Sequence, residues 1–144
     1  MNYTGFDADR FRAFRDMRRE EGHDGPIQML NLVKLRGAAV YEDGRDATGV
    51  TGFDAYKAYS TESAPVFKRL GGRIVWSGKM ELMLIGPAEE AWDLCFIAEY
   101  PSAAAFVEMI GDPVYRVAMQ HRQAAVETSR LIRMAPGKTG HGFG

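Results

Sequence analysis

Apolar and polar residues follow two rhythms along this chain. Between Ile27 and Arg36 the repeat is two residues. Ile27, Met29, Asn31, Val33 and Leu35 share one face, and Gln28, Leu30, Leu32, Lys34 and Arg36 share the other. That spacing predicts a β-strand. Both faces are apolar in the middle, so the strand is expected to be covered on both sides. Three more strands follow from the same pattern. One runs from Arg73 to Ile85 with a bend at Gly78, and one from Trp92 to Tyr100. The last is the short stretch "SRLIRMA".

The helical rhythm appears first from Asp7 to Glu21. Phe11, Phe14 and Met17 lie on one side there, and Arg12, Arg15 and Arg19 on another. Asp16, Glu20 and Glu21 dilute the arginine stripe, which reads as a solvated face. "EGHDGP" breaks this helix. Thr51 with Asp54 signals a second helix start. Its buried stripe is Tyr56, Tyr59, Ser63, Val66, Phe67 and Leu70, with Pro65 outside and Gly71-Gly72 at the end. Ser102 caps a short helix carrying Phe106, Met109 and Ile110. Asp112-Pro113 opens the last one. On that helix Arg116, Gln120, Gln123 and Glu127 form the solvent arc. Val114, Val117, Ala118, Ala125 and Val126 fall opposite, and His121 and Arg122 fall among them. Either the core satisfies these two polar side chains or a pocket uses them.

After the first helix the order is β-α-β-β-α-β. This predicts an α+β, ferredoxin-like fold: one four-stranded antiparallel sheet with helices on one face, plus an extra N-terminal helix. The other sheet face is apolar and uncovered, which predicts a homodimer whose sheets pack face to face. The stretch "GAAVYEDGRDATGV" is a long glycine-rich connection. Asp43-Gly44 is positioned to turn a small hairpin, and the length suggests a mobile lid. Three segments result: a helical extension over 1–26, the main domain over 27–135 and a flexible tail over 136–144.

Composition narrows the function classes. The chain has 144 residues, a net charge of -1 and one cysteine. One domain fits the length, and wholesale nucleic-acid binding does not fit the charge. A disulfide framework is excluded. No apolar run is long enough for a membrane span and the first residues lack a leader's apolar region, so a cytoplasmic location is expected. No metal-ligand spacing, phosphate loop or dinucleotide fingerprint is present, so neither metal nor cofactor is expected.

The run "MLNLVKL", then "AYKAY", "GGRIVWSG", "WDLCFIAEYPS", "DPVY" and "HRQAAVETSRLI", resembles the family catalogued as domain of unknown function 1330. The likeness covers roughly Ile27 to Met134. It implies the dimeric α+β barrel superfamily. Proteins with that fold include small cofactor-free monooxygenases, haem-handling enzymes and muconolactone isomerase-like proteins. The family has no settled activity, so it assigns no catalytic residue.

The candidate site therefore comes from the residues themselves. His121 is the candidate catalytic proton carrier, since a neutral imidazole can act as a base near pH 7. Arg122 is the candidate anion holder, Asn31 would polarise a carbonyl, and Tyr56 and Trp76 would shape the cavity. Tyr59 and Trp92 are further aromatic candidates. Asp93 and Glu99 are expected to pair with Arg73, Arg122 or Arg130, and Cys95 reads as a small core residue. His23 and His141 lie in glycine-rich segments. Two functions follow: a small cofactor-independent enzyme or binding protein for an organic, anionic or aromatic molecule, and a non-enzymatic homodimeric module.

Overall fold

A computed structural model describes residues 2–17, 25–138, 140 and 142–143. Arg19, Glu20, Glu21, His23 and His141, named above, lie outside the described residues. Four strands, β1 (Ile27–Leu35), β2 (Arg73–Gly78), β3 (Leu94–Tyr100) and β4 (Val126–Met134), form one sheet in the order β2-β3-β1-β4. All neighbours are antiparallel. The helices are α1 (Ala8–Asp16), α2 (Gly52–Arg69), α3 (Ala103–Gly111) and α4 (Pro113–Ala125). This is the ferredoxin-like α+β fold, with an open four-stranded sheet.

Local sequence explains most element boundaries. Asp7 caps α1 by accepting from the backbone N–H of Asp9 and Arg10. Thr51 and Asp54 form a reciprocal capping box at α2, satisfying two of the N–H groups that a helix start leaves open. Gly52 must be glycine, because a Cβ there would lie 2.0 Å from the Arg36 carbonyl oxygen. Gly71 ends α2 at φ +83°, a left-handed conformation that costs glycine nothing. Ser102 and Asp112 cap α3 and α4.

Register fixes the two sheet faces. Met29 pairs with Ala98 and Arg133, Asn31 with Phe96 and Leu131, and Val33 with Leu94 and Ser129. These residues face the helices. Leu30, Leu32, Ile97 and Ile132 face away from them. The core beneath the helices falls into two clusters. One holds Ile27, Met29, Val66, Tyr100, Phe106 and Tyr115. The other holds Val33, Ala39, Ala55, Ala124 and Val126. The Asn31–Phe96 rung lies between them.

Three expectations change. The strand expected to reach Ile85 stops at Gly78. β2 is an edge strand, and its partner β3 begins opposite, with Gly78 facing Cys95. Beyond that rung no strand among the described residues is there to pair with, and Leu82, Leu84 and Ile85 stand exposed. β4 starts at Val126 rather than Ser129, so Glu127 belongs to a strand, where it pairs with Lys34 at 3.1 Å. The buried arc of α4 is also rotated from the expected one. Tyr115, Ala118, Ala124 and Ala125 are buried, while Val114 and Val117 are each 56% exposed. The three alanines let the helix approach its neighbours closely, and that approach sets the rotation.

The long connection is docked. Ala39 N–H donates to the Val50 carbonyl, and Val40 N–H donates to the Ala124 carbonyl at 3.1 Å. Gly44, at φ +77°, closes a turn with Tyr41. These bonds hold the segment against the end of α4 rather than over a cavity mouth.

Candidate functional site

An open cleft of about 1630 Å³ lies between the sheet and the helices. Its interior is aromatic because α2, α3, α4 and β3 each turn a ring inward. Tyr56 and Tyr59 sit one turn apart on α2 with ring centroids at 5.2 Å. Tyr59 meets Tyr115 of α4, hydroxyl to hydroxyl, at 2.7 Å. Tyr100 of β3 packs edge-on against Phe106 of α3 at 5.2 Å. Phe6 and Phe14 of the N-terminal segment close on Phe106 from the other side.

Burial sets the electrostatics of these rings. It raises the Tyr56 phenol above its ordinary value; Tyr59 adds to that and Arg122 opposes it. Burial also raises Tyr100 and Tyr115, with Tyr59 contributing to both. These three phenols stay protonated and neutral near pH 7.

Arg122 projects from α4 into this cleft, on the same arc as Tyr115 and Ala118. Its Nη1 donates to the Thr4 carbonyl at 3.3 Å, and its positive charge opposes the burial shift of the nearby Tyr56 phenol. Thr4 is in place because the N-terminal segment runs beside β4. Tyr3 N–H donates to Thr128 Oγ1 at 3.0 Å, and Ser129 N–H donates to the Tyr3 carbonyl at 2.7 Å. None of the ion pairs among the described residues includes Arg122. Asn31 lines the same cleft, and its amide donates to the Met29 carbonyl at 3.1 Å.

His121 is elsewhere. It lies in the groove between α2 and the docked connection, outside the cleft lining. Its Nδ1 is 2.6 Å from the Tyr41 hydroxyl, and its Nε2 is 2.8 Å from Glu62 Oε2. One tautomer satisfies both contacts: Nε2–H donates to the carboxylate and Nδ1 accepts from Tyr41. Arg45 lies 4.3 Å over the Tyr41 ring and is held by Asp43 and by Gln120. Trp76 is on the opposite sheet face, opposite Ile97, half exposed and folded over Gly78.

The structure thus gathers Asn31, Tyr56 and Arg122 at one cavity and leaves His121 and Trp76 outside it. The site residues missed by the candidate set are Tyr115, Thr4 and the α3 ring Phe106; Tyr59 was noted only as an aromatic candidate. Tyr115 carried a readable signal, since it lies seven residues before Arg122 on one helix. Thr4 carried none. Of the expected ion pairs, Glu99 joins Arg73 at 2.8 Å. Asp93 instead accepts from the Leu35 N–H at 2.7 Å, and Arg130 pairs with Glu90. Among the described residues, no three His, Cys, Asp or Glu side chains come together as a metal site. No helix of the described residues is long and apolar enough to cross a membrane.

The sequence profile of a domain of unknown function, DUF1330, matches residues 47–135. The chain belongs to the DUF1330 family. A solved relative is the RPA0582 protein of unknown function from Rhodopseudomonas palustris, 56% identical over 96% of this chain and 99% of that one, with a TM-score of 0.86. A methylated form of RPA0582 matches at 57% identity over 96% and 98%, with a TM-score of 0.88. Far more distant is SnoaB, a cofactor-independent oxygenase from Streptomyces nogalater. It is 14% identical over 81% of this chain and 98% of that one, with a TM-score of 0.52, a likeness of fold alone. No curated protein matches the chain.

Proposed function

We propose that this DUF1330 protein binds a small organic molecule in the cleft between sheet and helices, without a metal or nucleotide. The observation that carries the reading is the joined set of tyrosines around Arg122 in one open cavity. Aromatic walls with a few convergent polar groups are the usual make-up of such sites. Asn31, Tyr56 and Arg122 would make the polar contacts. An NMR titration with a small aromatic compound such as 2-naphthol tests it. Shifts should cluster at Met29, Asn31, Tyr56 and Tyr115. Shifts confined to the open sheet face would refute the assignment.

The fold is shared with a cofactor-independent oxygenase, but at that identity no residue role carries across. A second reading, binding or assembly without catalysis, is favoured by one observation. The described residues of the cleft lining include no histidine, and His121 has both ring nitrogens occupied. A homodimer through the open sheet face belongs to both readings. Its support on that face is exposed Trp76 and Ile132; Leu82, Leu84 and Ile85, in the segment after β2, are exposed as well, more apolar surface than a monomer usually leaves in water. Light scattering at micromolar concentration should report twice the chain mass, and a clean monomer would refute it.

A further inference from the structure

We infer that the cleft takes an aromatic carboxylate, its carboxylate on the Arg122 guanidinium and its ring among the tyrosines. This rests on the binding-site reading above and adds the charge class of the ligand.

The charge of the lining points that way. Among the described residues six basic side chains line the cleft, Arg10, Lys68, Lys79, Arg122, Arg130 and Arg133, against two carboxylates, Asp7 and Asp93; Arg130 is already paired with Glu90. The chain as a whole carries -1, so this is a local concentration of positive charge rather than a general one. Both carboxylates are already engaged by backbone. Asp7 accepts from the N–H groups of Asp9 and Arg10, and Asp93 accepts from Leu35.

Arg122 is half-buried, whereas Arg10, Lys68 and Lys79 are exposed. Its hydrogen bond goes to a carbonyl, a neutral oxygen, and the charged group lies near the neutral Tyr56 phenol. A guanidinium has five N–H donors in a planar fork that matches a carboxylate, so donors remain. A cation held beside buried rings, without a countercharge, is poorly solvated and gains most from an anion.

The acid–base character of the walls selects the kind of anion. Among the described residues no histidine and no glutamate lines the cleft, and burial keeps the Tyr56, Tyr100 and Tyr115 phenols protonated. The described lining therefore offers no imidazole to deprotonate a weak acid near neutral pH. A ligand that arrives already ionised, as a carboxylic acid does with a pKa of about 4, suits such a lining and the Arg122 guanidinium. The rest of the ligand must match rings, and the tilted Tyr56–Tyr59–Tyr115 set offers ring edges and faces for a flat aromatic group.

Calorimetry with 2-naphthoate and its neutral isostere 2-naphthamide tests this near neutral pH. Naphthoate should bind about tenfold more tightly or better. Arg122→Gln should remove that preference while the variant still unfolds cooperatively. Equal or tighter binding of the amide by the native protein overturns the charge assignment and leaves the binding site standing. Binding of neither compound, with no chemical shifts at Tyr56 or Tyr115, overturns both.

Discussion

His121 meets Tyr41 through one ring nitrogen and Glu62 through the other. Arg122, the next residue, donates to a carbonyl and lies near a neutral phenol at the wall of a cavity. Successive helix residues point about 100° apart, which separates the two completely. The flank carrying His121 is a closed polar network that fastens the 37–50 connection to α2 and α4. The arc carrying Arg122 is an open one, with donors and no counterion. Satisfied polar groups stabilise a fold, and unsatisfied ones are characteristic of a site that awaits something. The pair looked like one site in sequence because a helical arc drawn without its neighbours is too broad to split them.

The largest effect should come from the cavity side. Phe106 is 4% exposed and joins Phe6, Phe14 and Tyr100. Phe106→Ala should cost roughly 3–5 kcal/mol in urea unfolding. A loss under about 1 kcal/mol would mean that the N-terminal segment does not pack there in solution.

Alkaline titration comes next. The folded chain holds the protons of Tyr56, Tyr100 and Tyr115 more tightly than the unfolded chain does. The stability linked to them is therefore fully present below the ordinary phenol pKa of about 10 and is lost as pH rises beyond it. Phenolate absorbance near pH 11 should fall short of the value for all six tyrosines and reach it only on unfolding. Complete ionisation of the folded protein in one step near pH 10 would contradict the buried cluster.

Much of this arrangement was legible in the sequence. Thr51 and Asp54 announced α2, and its stripe from Tyr56 to Leu70 is the face it buries or half-buries. The alternation in β1 gave both sheet faces, because side-chain period two is a local property. The unread parts depended on distant partners. "MELMLI" alternates like a strand, but pairing needs a neighbour that β3 does not extend far enough to supply. Val114 and Val117 face out because Ala118, Ala124 and Ala125 pack more closely. The contact between Arg122 and Thr4 spans 118 residues, and no local pattern encodes it.

Arg122→Met sharpens the contrast in the opposite direction. It removes an uncompensated cation from a partly buried wall and keeps most of the side chain's apolar volume. Unfolding free energy should stay level or rise by up to about 1 kcal/mol. A loss above about 2 kcal/mol would show that Arg122 holds the N-terminal segment in place through Thr4, making it structural.

The smallest effect on binding belongs to His121. Glutamine approximates the reach of the imidazole and keeps one donor and one acceptor. It cannot hold Tyr41 and Glu62 at 2.6 and 2.8 Å with the same geometry. His121→Gln should therefore weaken one or both bonds and cost about 0.5–1.5 kcal/mol. The connection should remain docked through Val40 and Ala39, whose backbone bonds do not involve the ring. Naphthoate affinity should be unchanged, since no atom of His121 lines the cleft. Denaturation and calorimetry on the same variant give both readings at once. Lost binding with intact stability would reverse the comparison, making His121 the functional member of the pair and the cavity around Arg122 a packing defect.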